Sequence, residues 1–175
     1  SFIEGKAKQN LSPANCKSVG AEIAKMHILT KNLKIKRQND LSVNSWRKLF
    51  DTVKDKCTNI HKDLPNLIEE NLNDVEKKWP KNLPKGIIHA DLFHDNIFFT
   101  QDKFSGMIDF YFSCEDFFAF EIAICFNALC FDGLKNNLSF NVTKAKNFID
   151  GYTSVRKLSN EEIDNIKVLS QGAAL

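Results

Sequence analysis

Residues 86–112 read GIIHADLFHDNIFFTQDKFSGMIDFYF, and this stretch decides how the rest of the chain is interpreted. Within it, His89, Asp91, Asn96 and Asp109 stand among many Ile, Phe and Met residues. Polar groups in apolar surroundings cost several kcal/mol unless they are paired or bind something. The stretch therefore predicts either polar residues that satisfy one another in a core or a functional site.

Three short segments of this stretch predict β-strands. GIIHA, NIFFT and FSGMIDF are rich in Ile and Phe and are separated by loops, which is typical of strands. The segment TQDKFSG between the last two predicts the turn of a β-hairpin.

Helices are expected on both sides of the hairpin. Ser12 before Pro13 predicts the start of one helix. Ser159 followed three residues later by Glu162 predicts a capping box at the start of another. The fold class that we expect is α+β, mostly helical, with a small central β-hairpin.

Apolar spacing predicts two further helices. One of them carries an apolar face made of Trp46, Leu49, Phe50, Val53, Cys57 and Ile60. The run FFAFEIAICFNALCF, residues 117–131, predicts a buried helix, because it is too short to span a bilayer and contains charged and polar residues.

Composition narrows the possible partners. The net charge of +2 is too small to indicate nucleic acid or an anionic membrane as a partner. The five cysteines are odd in number and lack metal-binding spacing, which favours free thiols in a reducing compartment. The first residues, SFIEGKAKQN, lack the apolar core of a signal peptide, so we expect a cytoplasmic location. No feature specifies an oligomeric state.

The polar residues of the opening stretch form a recognisable pattern. His89, Asp91 and Asn96 give H-x-D-x-x-x-x-N, and Ile108-Asp109-Phe110 follows after a hairpin-length interval. The pair resembles the catalytic loop and the metal loop of protein-kinase-like phosphotransferases. Ala90 and Tyr111 stand where protein kinases have Arg and Gly, which is more similar to the aminoglycoside phosphotransferase-like group of small-molecule kinases.

This resemblance implies a role for each residue. Asp91, at the end of a strand, would accept or orient the proton of an attacking hydroxyl. Asn96 and Asp109 would be oxygen ligands of a Mg²⁺ ion on the phosphates of ATP. His89 is expected to support the loop structurally.

Two other interpretations of these polar residues compete with the phosphotransferase one. Asp91 and Asn96 could simply cap a loop while Asp109 ends a strand. A non-haem iron site could begin with H-x-D, but it needs a later His, and none follows His94.

A longer stretch resembles one branch of this group. HADLFHDNIFF, SGMIDFYFSCEDFFAFEIAICFNALCF and the closing GAAL are similar to homoserine kinases of the aminoglycoside phosphotransferase-like type. This resemblance implies ATP-dependent phosphorylation of the side-chain hydroxyl of L-homoserine, on the route to threonine. Alternatives are another small-molecule hydroxyl kinase of the same fold, of the aminoglycoside, choline or methylthioribose type, or an inactive partial domain.

Two departures from the family pattern affect the loop. His94 stands where Pro is common, and Glu121 stands where the family has Asp. Glu121 is expected to help hold the catalytic loop. The candidates for contact with the substrate are His94, Asp95, Tyr111 and Asp116.

The first residues, SFIEG, resemble the hinge between the two lobes of such kinases. By position, the Ser1 carbonyl and the Ile3 amide would pair with adenine. Residues 1–5 are thus expected to be a hinge remnant. Residues 6–175 are expected to be the C-terminal lobe of a protein-kinase-like fold without its last helices, and we expect the N-terminal lobe to be absent from the chain.

Overall fold

The computed structural model describes residues 3–33, 36–133 and 137–175. Its helices are α1 (Pro13–Thr30), α2 (Val43–Cys57), α3 (Leu64–Lys78), α4 (Phe118–Leu129), α5 (Val142–Val155) and α6 (Asn160–Gly172). Its strands are β1 (Lys6–Ala7), β2 (Lys85–Ile88), β3 (Ile97–Thr100), β4 (Lys103–Met107), β5 (Cys114–Phe117), β6 (Phe131–Asp132) and β7 (Ser139–Phe140). The prediction of a mostly helical α+β fold is confirmed.

Side-chain caps begin two of the helices where the sequence predicted them. At α1, the Asn15 backbone N–H donates to Ser12 Oγ at 3.1 Å. At α6, the Glu162 N–H donates to Ser159 Oγ at 3.2 Å, and the Ser159 N–H donates to Glu162 Oε2 at 3.0 Å. Each cap satisfies N–H groups that the first turn of a helix leaves without partners.

The predicted hairpin is strands β3 and β4. They pair antiparallel with Thr100 opposite Lys103, so that only Gln101 and Asp102 form the connection. Both connecting residues have positive φ, 48° and 65°, which matches the twist of a two-residue hairpin turn. Strand β1 extends this sheet on the outer side of β3.

The strand that precedes the hairpin does not pair with it. Strand β2 pairs antiparallel with β5, with Ile88 opposite Cys114 and Lys85 opposite Phe117. The sequence analysis missed β5, because CEDF has no apolar alternation and merges with the apolar run that follows. The third predicted strand is also shorter than expected and ends at Met107. The third sheet pairs β6 with β7.

Helix α4 separates two apolar cores. Its Ile122, Cys125 and Leu129 pack with α1, α5 and the hairpin. Its Phe118 and Ala123 pack with α2, α3, β2, β5 and α6. A helix between two cores must be apolar on every side, which explains its sequence. No helix in the described parts of the chain combines the length and the apolar content that a membrane span requires.

The predicted apolar face of α2 is partly wrong. The helix ends at Cys57, and only Trp46, Phe50 and Cys57 are buried on it. Leu49, Val53 and Ile60 are exposed instead. The helix lies at the surface, so only some of its apolar residues contact the rest of the protein.

Candidate active site

The polar loop that contains His89, Asp91 and Asn96 starts where strand β2 ends. His89 follows the buried Ile88, and its ring nitrogen Nε2 donates to the Ile108 carbonyl at 2.8 Å. The other ring nitrogen, Nδ1, accepts from the Asp91 N–H at 3.3 Å. Burial lowers the pKa of His89, so that the neutral ring is favoured. The ring thus ties the loop to the segment that follows β4.

Glu121, on helix α4, supports the same loop through the loop's backbone. One carboxylate oxygen accepts from the backbone N–H groups of His89 and Ala90. The side chain is completely buried, and burial raises the pKa of Glu121 to about 7, against the opposing effect of the two N–H donors. Ala90 has a φ of 66°, which is uncommon for a residue with a Cβ. The hydrogen bonds that His89 and Ala90 donate to Glu121 stabilise this turn.

Asp91 and Asn96 face each other across the loop. The Asn96 amide nitrogen Nδ2 donates to the Asp91 carbonyl at 2.8 Å and lies 3.4 Å from Asp91 Oδ2. A one-turn 3₁₀ helix, His94–Asn96, brings the chain back to this position. Because the nitrogen is engaged, the Asn96 side-chain oxygen accepts no hydrogen bond from the described residues and is available to a ligand.

Asp109, which follows strand β4 of the hairpin, lies close to Asn96. The Ile108 N–H donates to the Asn96 carbonyl at 3.0 Å, so Asp109 follows directly after this contact. Asp109 is exposed, with a φ of 60°, a left-handed conformation that Asp tolerates. Its carboxylate makes no hydrogen bond with the described residues. The structure therefore brings Asp91, Asn96 and Asp109 together.

Charge in this cluster affects Asp91. Desolvation by burial raises the pKa of Asp91, and the nearby carboxylates of Asp109 and Asp95 raise it further, while His89 opposes this. Both trends make Asp91 a better proton acceptor than an ordinary aspartate.

The donor set fits a hard divalent cation. Asn96 and Asp109 offer one amide oxygen and one carboxylate, the ligands that Mg²⁺ prefers. In the described part of the chain, no three His, Cys, Asp or Glu side chains lie together as a metal cluster. A cation here would complete its shell with water or phosphate oxygens, as Mg²⁺ commonly does in nucleotide sites.

The substrate candidates lie at different distances from this cluster. His94 and Asp95 belong to the same loop as Asp91 and Asn96, and they are half-buried and exposed respectively. Tyr111 is 70% exposed, and its carbonyl accepts from the guanidinium of Arg37. Asp116 lies farther along, on β5 opposite Gly86.

Asp116 is held by two hydrogen bonds of its own. Asn39 Nδ2 donates to Asp116 Oδ2 at 2.7 Å, and the Phe117 N–H donates to Oδ1 at 2.7 Å. Asp116 lines a cavity of about 990 Å³ beside α2 and β5. Asp91 does not line this cavity.

Asp91 lines a second, smaller cavity of about 320 Å³. Its other walls are mostly apolar and come from distant parts of the chain, among them Asn39, Trp46, Phe112, Ile124 and Ala173. None of these wall residues was among the site residues predicted from the sequence. Only the tertiary fold brings them to Asp91, and no motif marks them.

The proposed hinge residues are only partly described. Ser1 lies outside the described residues. Ile3 packs its side chain against strand β4, since a Cβ added to Gly106 would lie 2.9 Å from Ile3 Cδ1. The adenine contacts expected of Ser1 and Ile3 remain a prediction.

The fold and this loop define a class of protein. The chain belongs to the phosphotransferase enzyme family, whose model matches residues 2–157. It is 42% identical to a homoserine kinase of Agrobacterium fabrum over 175 residues, covering 100% of this chain and 53% of the relative. It is 43% identical to a homoserine kinase of Nitrobacter hamburgensis over 174 residues, covering 99% of this chain and 52% of the relative.

The solved structures agree on the fold. The crystal structure of a type VIII aminoglycoside-3'-phosphotransferase superposes with a TM-score of 0.70 at 14% identity, covering 98% of this chain and 67% of that one. The predicted kinase-like lobe and the predicted resemblance to homoserine kinases are confirmed. The chain spans about half the length of the curated relatives that it matches.

Proposed function

We propose that the protein containing this chain transfers a phosphoryl group from ATP to the side-chain hydroxyl of L-homoserine, giving O-phospho-L-homoserine for threonine biosynthesis. The observation that carries the proposal is the convergence of Asp91, Asn96 and Asp109 on one loop and one hairpin. The similarity to homoserine kinases supports the choice of substrate. Cytoplasmic location is part of the same proposal.

In this proposal Asp91 is the catalytic base. It lines the 320 Å³ cavity, so an alcohol in that cavity can present its hydroxyl to the carboxylate. The raised pKa of Asp91 increases its affinity for the proton that leaves the hydroxyl. The apolar walls would exclude water, which otherwise competes with the alcohol for the phosphoryl group.

Asn96 and Asp109 would hold a Mg²⁺ ion that neutralises the charge of the ATP phosphates when bound. The hydrogen bond from Asn96 Nδ2 to the Asp91 carbonyl fixes the amide and leaves its oxygen available as a metal ligand. His89 and Glu121 position the loop through Ile108 and through the backbone of residues 89 and 90. Their role is support, since neither faces the cavity.

We also propose the division of the chain into a hinge remnant, residues 1–5, and a C-terminal lobe, residues 6–175. In this division Ser1 and Ile3 pair with adenine. His94, Asp95, Tyr111 and Asp116 stay candidates for substrate contact, with Asp116 the least direct because it lines the other cavity.

Release of ADP by the full-length protein tests the proposed function. We expect turnover with ATP, Mg²⁺ and L-homoserine that exceeds turnover with choline, methylthioribose or an aminoglycoside. Turnover with one of those alcohols and none with homoserine would overturn the substrate assignment.

The metal role of Asp109 gives a separate prediction. Asp109→Asn removes one negative ligand, and the Mg²⁺ concentration for half-maximal activity should rise on the order of 10-fold or more. Titrating Mg²⁺ in the ADP-release assay measures this. Asp102→Asn is the control, because Asp102 lies in the hairpin turn and pairs with Lys8. An unchanged Mg²⁺ dependence in Asp109→Asn would contradict the assignment.

The buried Glu121 predicts a pH-dependent stability. In the unfolded chain its pKa is about 4.5, whereas in the folded chain it is about 7, so the folded chain binds more protons between these values. The free energy of unfolding contributed by this group therefore falls as the pH rises from 4.5 to about 7. The full loss is about 3 kcal/mol for a shift of this size.

Glu121→Gln isolates this effect, because the amide has a similar shape and does not titrate. Compared with Glu121→Gln, the full-length wild-type protein should lose melting temperature between pH 5 and pH 8. Calorimetry at several pH values measures the difference. Parallel curves for the two proteins would show that Glu121 does not titrate in this window.

A further inference from the structure

The segment before α2 is fixed beside the candidate active site. The Glu115 N–H donates to the Arg37 carbonyl at 2.8 Å, and Gln38 forms a parallel bridge with Glu115. This segment therefore adds one short β-bridge to the β2–β5 sheet, on the side of β5. The backbone of Arg37 is held in place by the sheet.

The side chain of Arg37 lies against the turn that follows the metal loop. Its guanidinium donates to the Tyr111 carbonyl and lies over the Tyr111 ring, 5.6 Å from the ring centre. Tyr111 is two residues after Asp109. The guanidinium is thus attached to the segment that carries the proposed metal ligand.

The same two segments form a wall of the cavity that contains Asp91. Phe112, the residue after Tyr111, lines this cavity, and so does Asn39, two residues after Arg37. Arg37 is not itself a lining residue, but it contacts Tyr111 and precedes Asn39 by two residues, and from this we infer that it lies at the rim of the cavity.

Arg37 makes no ion pair with a carboxylate of the described residues. Two other cations near α2 and β5 are engaged in ion pairs: Arg47 pairs with Glu69 and Glu76, and Lys85 pairs with Glu115. A guanidinium has five N–H donors, and the Tyr111 carbonyl occupies one of them. The others are available to an anion.

The described residues that line the cavity include no cation that could pair with a carboxylate of the acceptor. Asp91 is the charged group among its lining residues, and no Lys or Arg of the described chain lines it. An amino-acid acceptor carries a carboxylate, which is costly to place near Asp91 and apolar walls without a cationic partner. Arg37, which contacts the segment that carries the lining residue Phe112, can supply such a partner.

We propose that Arg37 binds the α-carboxylate of the acceptor and so selects an amino-acid alcohol over other alcohols. The inference rests on the proposed function and deepens it. A guanidinium can bind a carboxylate through two parallel N–H···O bonds, which a lysine cannot reproduce. The hydroxyl of the acceptor then points into the cavity toward Asp91 while its carboxylate stays at the rim.

The test compares two acceptors that differ by one group. L-Homoserine and 3-aminopropan-1-ol share the hydroxyl and the amine, but only homoserine has the carboxylate. Full-length wild type, Arg37→Gln and Arg37→Lys are assayed with both acceptors, and KM for ATP is measured in parallel. Lys36→Gln is the matched control, because Lys36 is the exposed neighbour of Arg37.

We expect Arg37→Gln to lower kcat/KM for homoserine about 100-fold, the loss typical of a charge-assisted hydrogen-bonded pair. Its kcat/KM for 3-aminopropan-1-ol and its KM for ATP should stay as in wild type. Arg37→Lys should recover part of the loss, and Lys36→Gln should behave as wild type.

Three outcomes would overturn the proposal. An equal loss with both acceptors would show a general structural effect. A rise in KM for ATP would show that Arg37 binds phosphate rather than the acceptor carboxylate. An unchanged kcat/KM for homoserine in Arg37→Gln would show no contact at all. Absence of homoserine turnover in wild type is a different result, because it overturns the proposed function itself.

Discussion

Replacing Asp91 with Asn should lower kcat of the full-length protein for homoserine about 1,000-fold, the size expected when a positioned base is lost. An amide cannot accept the proton of the attacking hydroxyl. The folded structure should be little affected, because the loop is held by backbone contacts, in which the Asp91 carbonyl accepts from the Asn96 side chain and the Phe93 N–H. Those contacts do not involve the Asp91 carboxylate.

ADP release and thermal unfolding of the same preparations measure the two effects. Asp102→Asn is the matched control, since Asp102 is an exposed aspartate in the hairpin turn, where it pairs with Lys8. It should retain activity within a few fold. Unchanged kcat in Asp91→Asn would remove Asp91 from the mechanism, and an equal loss in both variants would show an effect that is not specific to Asp91.

The second large effect should be on stability, from Gly151→Ala. Helices α1 and α5 approach so closely that a Cβ at Gly151 would lie 2.8 Å from the Lys17 carbonyl carbon and 3.0 Å from Lys17 Cα. Gly20 faces α5 in the same way, with a Cβ there 3.0 Å from the Phe148 carbonyl carbon. Backbone atoms cannot move aside as a side-chain tip can, so the helices must separate.

In an exposed helix, Gly to Ala is stabilising by about 1 kcal/mol. Here we expect the opposite sign, a destabilisation of about 3 kcal/mol, which corresponds to a drop in melting temperature of about 10 °C. Asp150→Ala is the control on the exposed side of the same helix, and it should unfold near the wild-type temperature. A Gly151→Ala protein as stable as wild type would show that the two helices are farther apart.

The hairpin and the proximity of Asp91 and Asn96 could be predicted because their signals are local. The strands β3 and β4 are adjacent in sequence and joined by a two-residue turn. Asp91 and Asn96 are five residues apart in one loop, so their proximity follows from the motif. Capping residues such as Ser12 and Ser159 also act within one turn of the helix.

The rest of the site depends on long-range packing that leaves no local pattern. Strand β5 forms by pairing with β2, and the paired residues are 26 or more positions apart in the sequence. Arg37 reaches Tyr111 only because its own segment attaches to β5. The close approaches at Gly20 and Gly151 join α1 and α5, which are far apart in the sequence, and an isolated Gly within a helix gives no indication of its partner.

The most direct test of the central claim is transfer of the γ-phosphoryl group of labelled ATP to L-homoserine by the full-length protein, with the Asp91→Asn variant assayed in parallel. The account predicts labelled O-phospho-L-homoserine from wild type and about 1,000-fold slower labelling from the variant. Label appearing at the same rate with both proteins, or only in inorganic phosphate, would contradict it.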